Sequence, residues 1–300
     1  MKALAYISLA VLAVLLGYTV SMKTVEASPW DIRSAMVTSS SLPMTDTEDV
    51  TFSPDGSAVY TIGGNNDRVF QRNLSIPWNI SYASAQTQSS STAFVDTSPV
   101  GLTWKPDGTK LYIIANSNDR IYQYTATTSF DVTTLNYDGV STSTATMGET
   151  TPQSVQFSTS GTMMFIVGQA RDRVLQYNLS TPWDISTAAS SSNSIAAGQN
   201  PGGFVFRSDG RRYWISMGTN RVVTEYNLST PWAITTAVAG NVISLPTSET
   251  PSLNSIYINQ SSGENLFTLM TTLGVGSLAM PPEPILSTNA SFNGTGVMGW

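Results

Sequence analysis

The stretch "PQSVQFSTSGTMMFIVGQARDRVLQYNLSTPWDIST" runs from Pro152 to Thr187. It holds three short runs, "PQSVQF", "MMFIVG" and "DRVLQY", rich in Val, Ile, Leu, Phe and Tyr and bounded by Gly, Pro, Asn and Asp. Runs of that length and composition read as β-strands joined by tight turns. Gly161 offers the positive φ that such a turn requires. Pro182, in "STPW", presets φ for a turn and brings no N–H into a ladder. The "DIST" after it is expected to form a fourth strand, so this one stretch predicts a four-stranded antiparallel sheet.

The same order of parts recurs on both sides of it. Turn glycines stand at Gly56 ("SPDG"), Gly108 ("KPDG"), Gly161 ("STSG"), Gly210 ("RSDG") and Gly263 ("QSSG"), at intervals of 52, 53, 49 and 53 residues. Five serial units of four strands describe the blades of a β-propeller. The fifth unit has three strands, starting near Ser255, Asn265 and Gly274, and no "STPWDIST". A fragment of that phrase, "SPWDIRSAM", stands alone at Ser28. The expected fold is therefore an all-β, five-bladed propeller, 28–280, with 28–44 supplying the outer strand of the last blade and so closing the ring with no blade interface left unfilled. Trp30, Trp78, Trp183 and Trp232, at matched places, are expected to pack between blades. The pairs Asp67-Arg68, Asp119-Arg120 and Asp172-Arg173 are expected to link neighbouring blades.

"FSPDGSAVYTIG" from Phe52 and "WKPDGTKLYIIA" from Trp104 resemble the SPDG-type relatives of the WD-repeat propellers. With "DRVLQYNLSTPWDISTA", the wider phrase resembles propeller repeats of surface, phage and environmental proteins over about 28–280. The resemblance implies the fold and little about function, since propellers host lectins, hydrolases, lyases and scaffolds.

Composition narrows the chemistry. The 300 residues include no Cys and no His, which removes disulfides, Ser-His-Asp triads, Cys nucleophiles and His or Cys metal ligands. Lys and Arg total 14, scattered, with a net charge of −6, so no nucleic-acid surface is expected. If first strands line the central channel, Asp46, Glu48, Asp49, Asp96, Glu149 and Glu249 ring one mouth. Their matching repeat positions read as architecture. No cofactor is expected beyond a loosely held calcium ion near Asp96, Glu149 and Glu249.

The ends differ from the repeats. Ala3–Met22 carries no charge between Lys2 and Lys23. It reads either as a secretory signal cut after Ala27 or as a retained apolar helix within 1–27, inserted in a membrane or self-associating. Both readings place the protein outside the cytoplasm, at an extracellular, cell or virion surface. Residues 281–300 open with three prolines in four positions and read as an extended tail. Asn-X-Ser/Thr sequons at Asn73, Asn79, Asn178, Asn227, Asn259, Asn289 and Asn293 are glycosylation candidates. The resulting functional expectation is a non-enzymatic structural or display protein, a propeller head carried on a hydrophobic helix and self-assembling into a filament or surface array. The alternative is a secreted lectin-like protein with one shallow glycan site per blade.

Overall fold

The computed structural model describes residues 36–42, 47–63, 67–85, 88–91, 95–218, 220–245, 252–260, 265–270 and 274–279. All of them belong to one compact unit, Pro29–Pro282. The apolar segment, the tail and Trp30 lie outside the described residues. Among those described, no helix is long and apolar enough to cross a membrane.

Every strand sits in a four-stranded antiparallel sheet. After β1 (Met36–Leu42) come β2 (Asp49–Phe52), β3 (Ala58–Gly63), β4 (Arg68–Asn73) and β5 (Gln88–Ser91) in the first sheet. The second holds β6 (Pro99–Trp104), β7 (Lys110–Ala115), β8 (Arg120–Ala126) and β9 (Leu135–Ser143). The third holds β10 (Pro152–Phe157), β11 (Met163–Gly168), β12 (Arg173–Leu179) and β13 (Ala188–Ala196), and the fourth β14 (Pro201–Phe206), β15 (Arg212–Met217), β16 (Val222–Leu228) and β17 (Ala237–Ser244). In the remaining sheet β18 (Leu253–Ile258), β19 (Asn265–Met270) and β20 (Gly274–Ala279) are followed, in space, by β1 from the other end of the chain. Met36 pairs with Ala279 and Leu42 with Val275. The first strands are neighbours in the cycle β2, β6, β10, β14, β18 and back to β2. The protein is thus an all-β propeller of four-stranded antiparallel blades.

Three local expectations are corrected. "DIST" is not a strand. Ile185–Thr187 forms one 3-10 turn, capped by the Asp184 side chain, which accepts from Ser186 N–H, and the fourth strand begins after it at Ala188. Asp and Ser side chains bond nearby backbone N–H groups and so favour a cap over a ladder. The strand supplied by the N-terminal region likewise starts at Met36, the last residue of "SPWDIRSAM"; the rest of that phrase lies outside the described residues. The expected blade-to-blade role of the Asp-Arg pairs holds for Asp172, which accepts from Asn200 N–H at the entry of the next blade at 2.9 Å, but not for the arginines. Arg68, Arg120 and Arg173 bond Ser89, Ser141 and Ser194 on the fourth strand of their own blade. Asp67, Asp119 and Asp172 occupy left-handed turns, and in the fourth blade Arg221 takes that place.

The turn glycine and the "PW" aromatic form one device. Trp78, Trp183 and Trp232 lie at φ of 62°, 66° and 63°, with Phe130 of "SFDV" at 61°. Each donates its N–H to the carbonyl of its blade's turn glycine, at 2.8–3.1 Å. A Cβ on Gly56, Gly108, Gly161 or Gly210 would overlap the aromatic ring laid across it. The ring then meets an aromatic on the second strand of the preceding blade: Trp183 against Tyr112 at 6.4 Å, Trp232 against Phe165 at 6.2 Å, and Trp78 against Phe267 at 6.4 Å. Tyr60 and Tyr112 donate across the same boundary to the carbonyls of Phe130 and Trp183. The glutamines of the third strands add a second tie: Gln71 accepts from Val132 N–H and Gln123 from Ile185 N–H. The described tryptophans of this set therefore pack between blades.

Candidate functional site

Matched positions on the five first strands stack as three rungs along the propeller axis. The register comes from pairing with the second strands, where Thr51, Thr103, Gln156, Val205 and Tyr257 stand opposite Tyr60, Tyr112, Phe165, Trp214 and Phe267. Two residues earlier lie Asp49, Gly101, Ser154, Gly203 and Ser255. β-Bulges at Pro99/Gly101, Pro152/Ser154, Pro201/Phe204 and Leu253/Ser255 alter the register there. Consecutive residues can then share a side of the strand. Glu48, Val100, Gln153, Gly202 and Asn254 make the third rung.

The middle rung is a closed neck. A Cβ on Gly101 would lie 2.5 Å from the Gln153 carbonyl, and one on Gly203 2.5 Å from Ile256 N, so backbones of adjacent blades meet there. Asp49 joins two further boundaries: one carboxylate oxygen accepts from Leu102 N–H of the second blade at 2.8 Å, the other from the Ser255 hydroxyl of the last. Burial pushes the Asp49 carboxyl up to about 7, against the pull of those hydrogen bonds, with the nearby Glu48 charge adding to the rise.

On one side of the neck lies a polar cavity of about 380 Å³. Among the described residues, Glu48 is the single carboxylate on its wall, joined by Asn116, Gln153, Gln169 and Asn254, with Ser98, Thr151 and Ser252 at its edge. Asn254 Nδ2 donates to Glu48 Oε2 at 2.9 Å. Asn116 Oδ1 is sealed from solvent without a partner. The fourth blade contributes Gly202 and Gly218, leaving bare backbone on that flank. On the other side lies an apolar cavity of about 280 Å³, walled by Phe52, Trp104, Phe157 and Phe206, each four residues before its turn glycine.

The expected ring of acids divides. Glu48 faces the polar cavity and Asp49 fills the neck. Asp96, 3% exposed, accepts from Ser98 N–H, Asn118 and Tyr122 of its own blade. Glu149, fully buried, accepts from Thr151, Ala170 and Arg171 N–H groups. Asp46 and Glu249 lie outside the described residues. Among those described, no three acidic side chains gather as a metal site. Of the sequons, Asn73 and Asn178 are exposed, Asn79 and Asn227 half-buried, and Asn259 is buried at 3%, which closes it to a glycan. Asn289 and Asn293 lie outside the described residues. Sequence reading missed the wall amides, which have no motif, and the aromatic wall, whose fixed spacing before the turn glycine is visible in four units.

No protein-family model matches the chain, and no curated protein matches it. Similar solved structures include the periplasmic gluconolactonase PpgL of Pseudomonas aeruginosa, 14% identical with a TM-score of 0.49, covering 74% of this chain and 64% of that one. A Bacteroides uniformis protein named as a candidate 6-phosphogluconolactonase is 15% identical with a TM-score of 0.48, covering 82% and 71%. The β-propeller domain of Cps50 (Swd1) from Myceliophteria thermophila is 11% identical with a TM-score of 0.44, covering 83% and 90%. The chain thus spans just under two thirds of the gluconolactonase, and likenesses this distant transfer no activity. They do correct the functional expectation. Proteins named as lactonases stand among the fold's neighbours, against the expectation of a non-enzymatic display protein.

Proposed function

We propose that the protein binds one small, neutral, hydroxyl-rich molecule of the sugar or sugar-lactone class in the polar axial cavity. The observation that carries this reading is the rung Glu48, Val100, Gln153, Gly202 and Asn254: one register position, five different residues, in a chain whose turns repeat closely. Amides and hydroxyls both donate and accept, as a polyol requires, and the bare flank at Gly202 and Gly218 gives it room. Glu48 is the group placed to take a proton from a bound hydroxyl or water, so ring-opening hydrolysis of a lactone is the reaction class the site would support. Export from the cytoplasm is proposed on the Ala3–Met22 segment alone; mass spectrometry of the native N-terminus tests it, and an intact, soluble cytoplasmic chain would refute it.

Calorimetric titration with monosaccharides and aldonolactones, paired with a pH-stat assay of acid release, tests the site. One saturable site is expected. Gln153→Leu should weaken binding at least tenfold, and Glu48→Gln should lower acid release more than affinity. Absence of binding across the panel, or binding indifferent to Gln153→Leu, overturns the proposal.

A further inference from the structure

The polar cavity carries charge of one sign only. Among the described residues its wall holds one carboxylate, Glu48, and no lysine or arginine. Two further acids stand directly behind its edge. Asp96 accepts from Ser98 N–H at 3.0 Å and Glu149 from Thr151 N–H at 2.9 Å, and both donors belong to edge residues of the cavity. Asp49 lies in the neck, next to Glu48 in the chain. Arg171, two residues beyond Gln169 on the wall, is exposed and donates to the Met147 carbonyl at 2.6 Å. A cleft lined by one sign of charge repels ligands of that sign. Phosphate and carboxylate groups are held best by guanidinium or ammonium side chains, and this wall offers neither.

Given that this cavity takes a sugar or sugar lactone, as proposed above, we infer that it also selects by charge: it admits unphosphorylated, neutral forms, rejects sugar phosphates, and expels the aldonic acid that hydrolysis makes, with Glu48 as the discriminating residue. The reaction itself creates the charge. Water adds its oxygen to the lactone carbonyl carbon, and Glu48 takes a water proton. The ring C–O bond breaks, and Glu48 returns that proton to the ring oxygen, which leaves as a hydroxyl. The new carboxyl group then gives its own proton to solvent. Glu48 thus ends ionised beside a fresh carboxylate, in a cavity where two like charges are solvated less well than in water. The neutral substrate meets no such repulsion, and a phosphate on the sugar meets more of it.

Calorimetric titration of the full chain at pH 8 with glucose, galactose and mannose, each beside its aldonate and its 6-phosphate, reads the selection without depending on turnover. At least one neutral sugar should bind tenfold or more tightly than both of its anions. Glu48→Gln keeps the side chain's shape and removes its charge, so it should narrow that ratio at least threefold. Thr151→Lys, which adds a cation at the cavity's edge, should narrow it at least fivefold while the neutral sugar's affinity stays within twofold, and it decides the matter if Glu48→Gln folds poorly. An anion bound by the wild type as tightly as its neutral parent, or a ratio that neither folded variant moves, overturns the charge selection and leaves sugar binding intact. Binding of none of these compounds overturns both.

Discussion

Asp49 shows how one residue can set a molecule's response to pH. Burial raises its carboxyl to about 7 in the folded chain, against an ordinary 3.8. Between those values the folded protein holds a proton that the unfolded chain releases. A raised acid of this kind contributes stability at low pH and loses it as pH rises toward 7, a loss on the order of a few kcal/mol. Asn at this place keeps an acceptor for Leu102 N–H and cannot ionise. Compared at pH 5 and pH 8, the Tm of Asp49→Asn relative to wild type should therefore rise by several degrees at the higher pH. A difference that is flat between the two would show that Asp49 is ionised in the folded state throughout.

At the scale of elements, the turn glycine and the ring above it form a coupled pair, and that coupling can be measured. Ala at Gly161 meets two obstacles: a left-handed φ of 71° and the Trp183 ring. The φ term alone costs about 1–2 kcal/mol, and displacing the ring adds to it. Trp183→Ala removes the second obstacle. Urea midpoints for Gly161→Ala, Trp183→Ala and the double variant should give a coupling of at least ~1 kcal/mol, within the range for residues in contact. Additive losses would separate the turn from the tryptophan. The glycine spacing and the strand runs made the blades legible in the sequence, because turn chemistry is local and repeats. The fourth strand was misplaced because Asp184 and Ser186 carry a capping signal that a strand pattern does not distinguish from a hairpin turn. The cavity walls were less legible still. Bulges next to Pro99, Pro152 and Pro201 shift strand register, so alternation no longer tells which residues face the axis. Of the six acids, position relative to the first strand singled out none; only the hydrogen bonds of Asp96 and Glu149 turn them into their own blades and leave Glu48 facing the cavity.

For the whole molecule, the ring depends on a sheet made from both ends of the chain. β20 would be an open edge without β1, and an uncovered edge recruits other chains. Val37 and Leu278 are paired partners across that junction. The chain contains no cysteine, so Val37→Cys with Leu278→Cys can form one disulfide and no competing one. The bond would close a loop spanning nearly all of the propeller, and the chain-entropy limit for a loop of that size is about 5 kcal/mol. Strain at an engineered bridge reduces that gain, so the expected result is a Tm higher by several degrees in the oxidised form than in the reduced form, with less aggregation on heating. The reduced double variant controls for the loss of the two side chains. Formation should be rapid in the native protein, since the two backbones are already paired there, and suppressed when oxidation is carried out in denaturant. A bridge that forms only in denaturant, or one that leaves Tm unchanged or lowered, would show that β1 does not hold the ring shut.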